Sequence, residues 1–138
     1  MESHYRKAVG ALLVYDISLK ESFLNTQRWL MELKQFAEPD CVIMLVGNKL
    51  DLVNTNKSRR QVSFEEAKIF SEENKLVFFE TSALSNLKVS ECFEDLIQEI
   101  YNERRKVNNK YRMNQGQGNI KLKNKKDNEK KSNYCYEC

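Results

Sequence analysis

The sequence predicts an α/β fold in which three parallel strands alternate with three helices. Three observations carry this. Apolar runs of strand length recur at residues 8–15, 41–46 and 76–79. The segments that follow them bring apolar residues back at helical spacing, and two of these segments open with Ser-x-x-Glu. The resulting order, strand then helix three times over, calls for parallel strands joined by crossovers, which puts the carboxyl ends of all three at one sheet edge.

Each element has its own justification. Residues 8–15 (AVGALLVY) are apolar and partly β-branched, as in a buried strand. Asp16 ends that strand and is expected to order the turn after it. Ser18-x-x-Glu21 reads as a capping box opening a helix to about Phe36, with Phe23, Leu30, Leu33 and Phe36 inward and Trp29 as a packing residue. Residues 41–46 form the second strand and lead into a loop at Asn48, and the polar stretch 54–60 reads as a solvated insert. Ser63-x-x-Glu66 is a second capping box, with Phe64, Ala67 and Phe70 facing in. The third strand, 76–79, carries Phe78 and Phe79 as core and ends in the Thr81-Ser82-Ala83 loop. The last helix has the clearest period, through Val89, Cys92, Phe93, Leu96, Ile97, Ile100 and Tyr101.

Composition divides the chain. Residues 1–100 hold 12 Lys+Arg against 16 Asp+Glu, a net −4, whereas residues 101–138 hold 11 against 4, a net +7. A mildly acidic folded unit over 1–107 is therefore expected ahead of a basic tail, 108–138. That tail is rich in Asn, Lys, Gln and Gly, poor in apolar residues, and expected to be disordered. No apolar run approaches the roughly 18 residues of a spanning helix. Cys41 and Cys92 fall on a strand and a helix stripe and read as buried free thiols, unlike Cys135 and Cys138 at the extreme end. Cys135-x-x-Cys138 lacks a second ligand pair and His4 is distant, so no metal site is assigned.

The chemistry concentrates at two loops. Asn48-Lys49-Leu50-Asp51 leaves the second strand and Glu80-Thr81-Ser82-Ala83-Leu84 leaves the third. Open α/β sheets bind ligands at this edge. Guanine presents two adjacent donors, N1–H and its exocyclic amino group, and the Asp51 carboxylate can accept both. Adenine presents an acceptor and a donor there, so Asp51 would be left partly unpaired, a costly mismatch. Asn48 can offer its amide to the base and tie the loop to its neighbours. The Lys49 stem can lie along base or ribose with its charge outward. Ser82 orders the second turn, and the N–H of Ala83, which has no bulk to block a base, is aimed at the guanine carbonyl. Leu84 completes the motif.

These motifs, with the run Tyr5-Arg6-Lys7-Ala8-Val9-Gly10-Ala11-Leu12-Leu13-Val14-Tyr15-Asp16-Ile17 and with Arg28-Trp29-Leu30, resemble Rab small GTPases in order and spacing. The wording is closest to the recycling-endosome branch, and the similarity covers about residues 3–105. The resemblance implies a partial P-loop NTPase fold of the Ras-like kind, its C-terminal half alone. It further implies nucleotide binding at Asn48, Lys49, Asp51, Ser82, Ala83 and Leu84, with GTP or GDP as ligand, and a switch role in vesicle traffic for the complete form. The family's Gly-Lys-Ser/Thr phosphate loop, its switch threonine and its Asp-x-x-Gly-Gln segment have no match in these 138 residues. Magnesium is therefore expected only in a complete form, and no catalytic residue is assigned.

That difference can be sized. A phosphate cradle of about half a dozen charge-assisted hydrogen bonds contributes on the order of 10 kcal/mol, or roughly seven decades of affinity. Weak or absent nucleotide binding and no GTP hydrolysis are expected of this stretch alone. For the tail, the resemblance implies membrane attachment. Arg104-Arg105-Lys106 and residues 121–131 suit an anionic surface, and prenylation at Cys135 and Cys138 would add a stable anchor. Expected partners are an intracellular membrane, Rab escort and prenyltransferase proteins and effectors, with no nucleic acid, in a monomer. The expected location is the cytoplasmic face of endosomes, vesicles or Golgi, with a cytosolic pool. The competing reading is a non-catalytic membrane-tethered fragment that competes for escort or prenylating machinery.

Overall fold

The computed structural model describes residues 7–115. Three parallel strands form one sheet in the order β1-β2-β3: β1 (Gly10–Asp16), β2 (Val42–Asn48) and β3 (Val77–Glu80). Gly10 pairs with Val42 and Asp16 with Asn48, and Gly47 lies opposite Glu80. The strands run one or two residues beyond the apolar runs, because the polar residues at their exits still complete the ladder.

Helices cover both faces, as a buried parallel sheet requires. On one face α1 (Lys20–Phe36) and α3 (Phe64–Asn74) pack with Leu13, Tyr15, Phe23, Leu30, Leu33, Leu45, Ala67 and Phe78. Phe23 sits edge-on to both Tyr15 and Phe70, with ring centroids 5.1 and 5.5 Å away. On the other face α4 (Val89–Gln115) lays Cys92, Leu96 and Ile100 on Met44, Val46, Val77 and Phe79. The short α2 (Leu50–Thr55) and a 3-10 turn (Lys57–Arg59) occupy the stretch expected to be a loop, although residues 54–59 are solvent-exposed as anticipated.

Several expectations are corrected. Ser18 does not cap α1: its amide and hydroxyl both donate to Asp16 Oδ1, at 2.8 and 2.5 Å, so the residue is spent on the turn. The N-cap position falls instead on Leu19, and the first-turn N–H of Lys20 finds Gln61 Oε1 at 3.0 Å. The second capping signal holds, with Ser63 Oγ accepting the Glu66 N–H at 3.1 Å. Trp29 is 49% exposed rather than packed. Cys41 is only half-buried, because it precedes β2 at the rim of a groove between the C-terminal ends of α1 and α3. Cys92 is buried as expected, and burial followed by Asp95 pushes its thiol up to about 11.

The stripe of α4 is also narrower than its period suggests. Phe93, Ile97 and Tyr101, one position (about 100°) round from Cys92, Leu96 and Ile100, are exposed, Ile97 to 65%. Three strands spaced about 4.8 Å apart span roughly one helix diameter. They can take one ridge of α4 and leave the next in solvent. The helix itself continues to Gln115, past the boundary at 107 where disorder was expected. Once a helix is nucleated each added residue costs little, so exposed Lys, Arg and Met extend it. The rest of the basic tail, including Cys135 and Cys138, lies outside the described residues, as does His4.

Candidate functional site at the carboxyl ends of the strands

β2 delivers Asn48 to the sheet edge and the chain then turns sharply. Lys49 adopts a left-handed conformation, φ 69°, which sets the first turn of α2 and places Asp51 in it, where a carboxylate meets the positive end of the helix. β3 ends at Glu80 and hands over to Thr81 and Ser82. The two exits are bonded through the backbone: Thr81 N–H donates to Gly47 O at 2.7 Å and Leu50 N–H to Thr81 O at 3.0 Å.

Side chains complete the weld. Ser82 Oγ donates to Asp51 Oδ1 at 2.6 Å and accepts the Ser85 N–H at 3.1 Å, so one buried hydroxyl fixes both the carboxylate and the turn. The Ser82 backbone exchanges hydrogen bonds with Leu87 at 3.0 and 2.9 Å, closing the loop 83–86. Asn48 Oδ1 accepts the Ala83 N–H at 3.0 Å. The Ala83 N–H, expected to face a guanine carbonyl, is engaged by Asn48 in this structure.

Lys49 differs as well. Its Nζ lies 2.7 Å from Asp16 Oδ2, turned onto the end of β1 rather than outward. Burial raises the Asp16 carboxyl, but the bonds from Lys49 and Ser18 and the Lys49 charge outweigh it and hold the group below its ordinary 3.8. All three strand exits are thereby joined, Asp16 to Lys49 and Asn48 to Ala83. Asp51 keeps Oδ2 without a hydrogen bond among the described residues, and Ala83 is exposed beside it. An acceptor oxygen next to a small exposed residue is what a donor edge such as guanine N1–H and its amino group requires. Leu84 stands 87% exposed.

The structure thus brings Asn48, Asp51, Ser82 and Ala83 together, directs Lys49 to Asp16, and leaves Leu84 in solvent. Sequence reasoning missed Arg60. Its guanidinium forks the Glu80 carboxylate at 2.5 and 3.0 Å beneath the second loop. Its nearest signal is Val62, two positions on and fully buried, which marks the end of the insert as embedded. Among the described residues no group of three His, Cys, Asp or Glu could hold a metal ion.

Comparison with known proteins supplies the family. The model of the Ras family matches residues 1–102. The chain belongs to the Ras family. It is 51% identical over 98 residues to the Ras-related protein Rab-11C of Dictyostelium discoideum, covering 71% of this chain and 42% of that protein. Against the GTP-binding protein ypt3 of Schizosaccharomyces pombe it is 50% identical over 99 residues, or 72% and 44% of the two chains. The Ras-related protein rab-11.1 of Caenorhabditis elegans is 48% identical over 109 residues, 79% and 48%. The chain thus spans about half the length of these relatives, and the parallel sheet with helices on both faces agrees with a partial Ras-like fold.

Proposed function

We propose that this chain carries the guanine-recognition half of a Rab-type small GTPase that binds GTP and GDP and acts in vesicle traffic. The observation that supports it most is the pair of side-chain links between the two strand exits, Asp51–Ser82 and Asn48–Ala83. They hold one carboxylate and one small-residue loop at the edge where such sheets take ligands. Asp51 selects guanine by accepting from N1–H and the amino group. Ser82 fixes the rotamer of Asp51, and Asn48 exchanges its bond to Ala83 when the guanine carbonyl arrives. Lys49, Leu84 and the ribose share the outer rim.

Attachment to endosomal, vesicle or Golgi membranes through prenylated Cys135 and Cys138, with escort, prenyltransferase and effector partners and a monomeric body, extends this reading. Magnesium and hydrolysis belong to a form with phosphate ligands, and this chain alone turns over no GTP. The experiment is titration of guanosine monophosphate against the chain and its Asp51→Ala variant. Millimolar binding by the first and at least a tenfold loss in the second are expected. Equal binding by both would overturn the assignment of Asp51.

A further inference from the structure

Below the second loop lies a polar cluster that base recognition does not explain. Glu80, the last residue of β3, is only 5% exposed, yet carries a carboxylate. Both of its oxygens are taken by Arg60, which also donates to the Val62 carbonyl at 3.1 Å. Arg60 is itself anchored. The residues after it, Gln61 and Val62, both donate backbone N–H groups to the Ile17 carbonyl, at 3.0 and 3.1 Å, just beyond the exit of β1. The guanidinium therefore reaches from the β1 side of the edge to the end of β3.

The Glu80 carboxylate is enclosed, its side chain 2% exposed against 26% for Arg60. The Tyr15 hydroxyl is fully enclosed without a hydrogen-bond partner among the described residues, and a Cβ on Gly47 would meet it at 2.7 Å. Burial first, then the Glu80 charge, push that phenol far above its ordinary range. A carboxylate in such a place is tolerated only when its charge and lone pairs are matched. Glu80 also stands two residues from Ser82, which holds Asp51, and opposite Gly47, whose carbonyl receives the Thr81 N–H.

We infer that Arg60 is a positioning residue for the second base loop, locking Glu80 in place so that Ser82 presents Asp51 to the base. The inference rests on the guanine reading and deepens it, by assigning part of the site's order to the far end of the polar insert. Without the guanidinium, Glu80 relieves its charge by turning toward solvent. The end of β3 turns with it and Ser82 leaves Asp51. Arg60 is assigned a positioning role, acting on the site through its contacts to Glu80 and Val62.

Amide hydrogen exchange of the intact chain separates the possibilities. Arg60→Met is expected to speed exchange at Ser82 and Ser85 by about 30-fold or more, while the Leu13 and Leu45 amides change by less than about threefold. Arg60→Met/Glu80→Gln removes the stranded charge and restores loop protection. Where Arg60→Met does not fold, Arg60→Lys gives the answer, since a point charge cannot fork the carboxylate and the loop loosens alone. Unchanged loop protection overturns the inference. So does uniform acceleration at all four amides, or a double variant no better than the single. A wild-type chain whose loop amides ignore guanosine monophosphate would instead overturn the guanine reading, with the exchange data still deciding the role of Arg60.

Discussion

The carboxyl edge of the sheet and its outer flank are finished to different degrees. At the edge, each strand exit is bonded to another by backbone and by a side chain: Asp16 to Lys49, Asn48 to Ala83, Asp51 to Ser82, Arg60 to Glu80. Along the flank, β1 is an edge strand whose Val14 is 45% exposed, and α4 turns Phe93, Ile97 and Tyr101 to solvent. The difference teaches where this half of a Ras-family fold stores its order. The order of the edge depends on short-range links that these residues supply to one another. Along the flank, the three strands among the described residues leave apolar side chains in solvent, and an exposed apolar strand edge invites association.

The sharpest way to break this comparison is to truncate one aromatic on each side of it. Phe23→Ala, inside the Tyr15–Phe23–Phe70 stack, should cost about 4 kcal/mol in denaturant unfolding. Phe93→Ser on the flank should change stability by less than about 0.5 kcal/mol and raise solubility. Equal costs would mean that the flank is as well packed as the interior.

A smaller effect probes the floor of the site. Gly47→Ala drives a methyl against the Tyr15 hydroxyl and ring, at 2.7 and 2.9 Å, with Ile17 close behind. An overpacking loss of about 2 kcal/mol is expected in thermal unfolding. Tyr15→Phe removes the orphaned hydroxyl and should be neutral or stabilising by up to about 1 kcal/mol. A clear loss from Tyr15→Phe would show that the hydroxyl has a partner.

The two Ser-x-x-Glu signals should separate next. Ser63→Ala removes a working N-cap and should cost about 1 kcal/mol. Glu21→Ala removes no capping bond and should change stability by less than about 0.3 kcal/mol. The smallest effect is in pH. The Asp16 carboxyl is held below its ordinary value, so the stability it contributes is fully present above 3.8 and is lost as pH falls toward its lower folded value. Asp16→Asn should flatten the stability profile in that acid window, read by fluorescence between pH 5 and pH 2, and leave its slope near neutrality unchanged.

Much of this was legible because the signals were local. The three strands announce themselves as apolar runs, and residues 41–46 and 76–79 are followed at once by the polar residues they position. Asn48, Asp51, Ser82 and Ala83 could be picked out before their contacts to one another were known, because both motifs leave the same edge of the sheet. What was hidden is non-local. Nothing near Arg60 says that it meets Glu80 twenty positions later. Ser18 reads as a cap because its spacing to Glu21 is right, yet Asp16 competes for it at shorter range. Trp29, Phe93 and Ile97 read as core because helical period reports a stripe and not the width of the sheet beneath it. The Asn48–Ala83 bond escaped for another reason: a backbone N–H carries no mark in sequence of what takes it.

The central claim is that the two strand exits form one guanine-selective site. Its most direct test follows the Ser82, Ala83 and Ser85 amides by NMR while guanosine monophosphate, and then inosine monophosphate, is added. The account predicts shifts at all three amides, with the guanine nucleotide binding at least about tenfold more tightly because only it supplies the exocyclic amino group to Asp51. Identical titrations with the two nucleotides, or loop amides that do not respond to either, would contradict it.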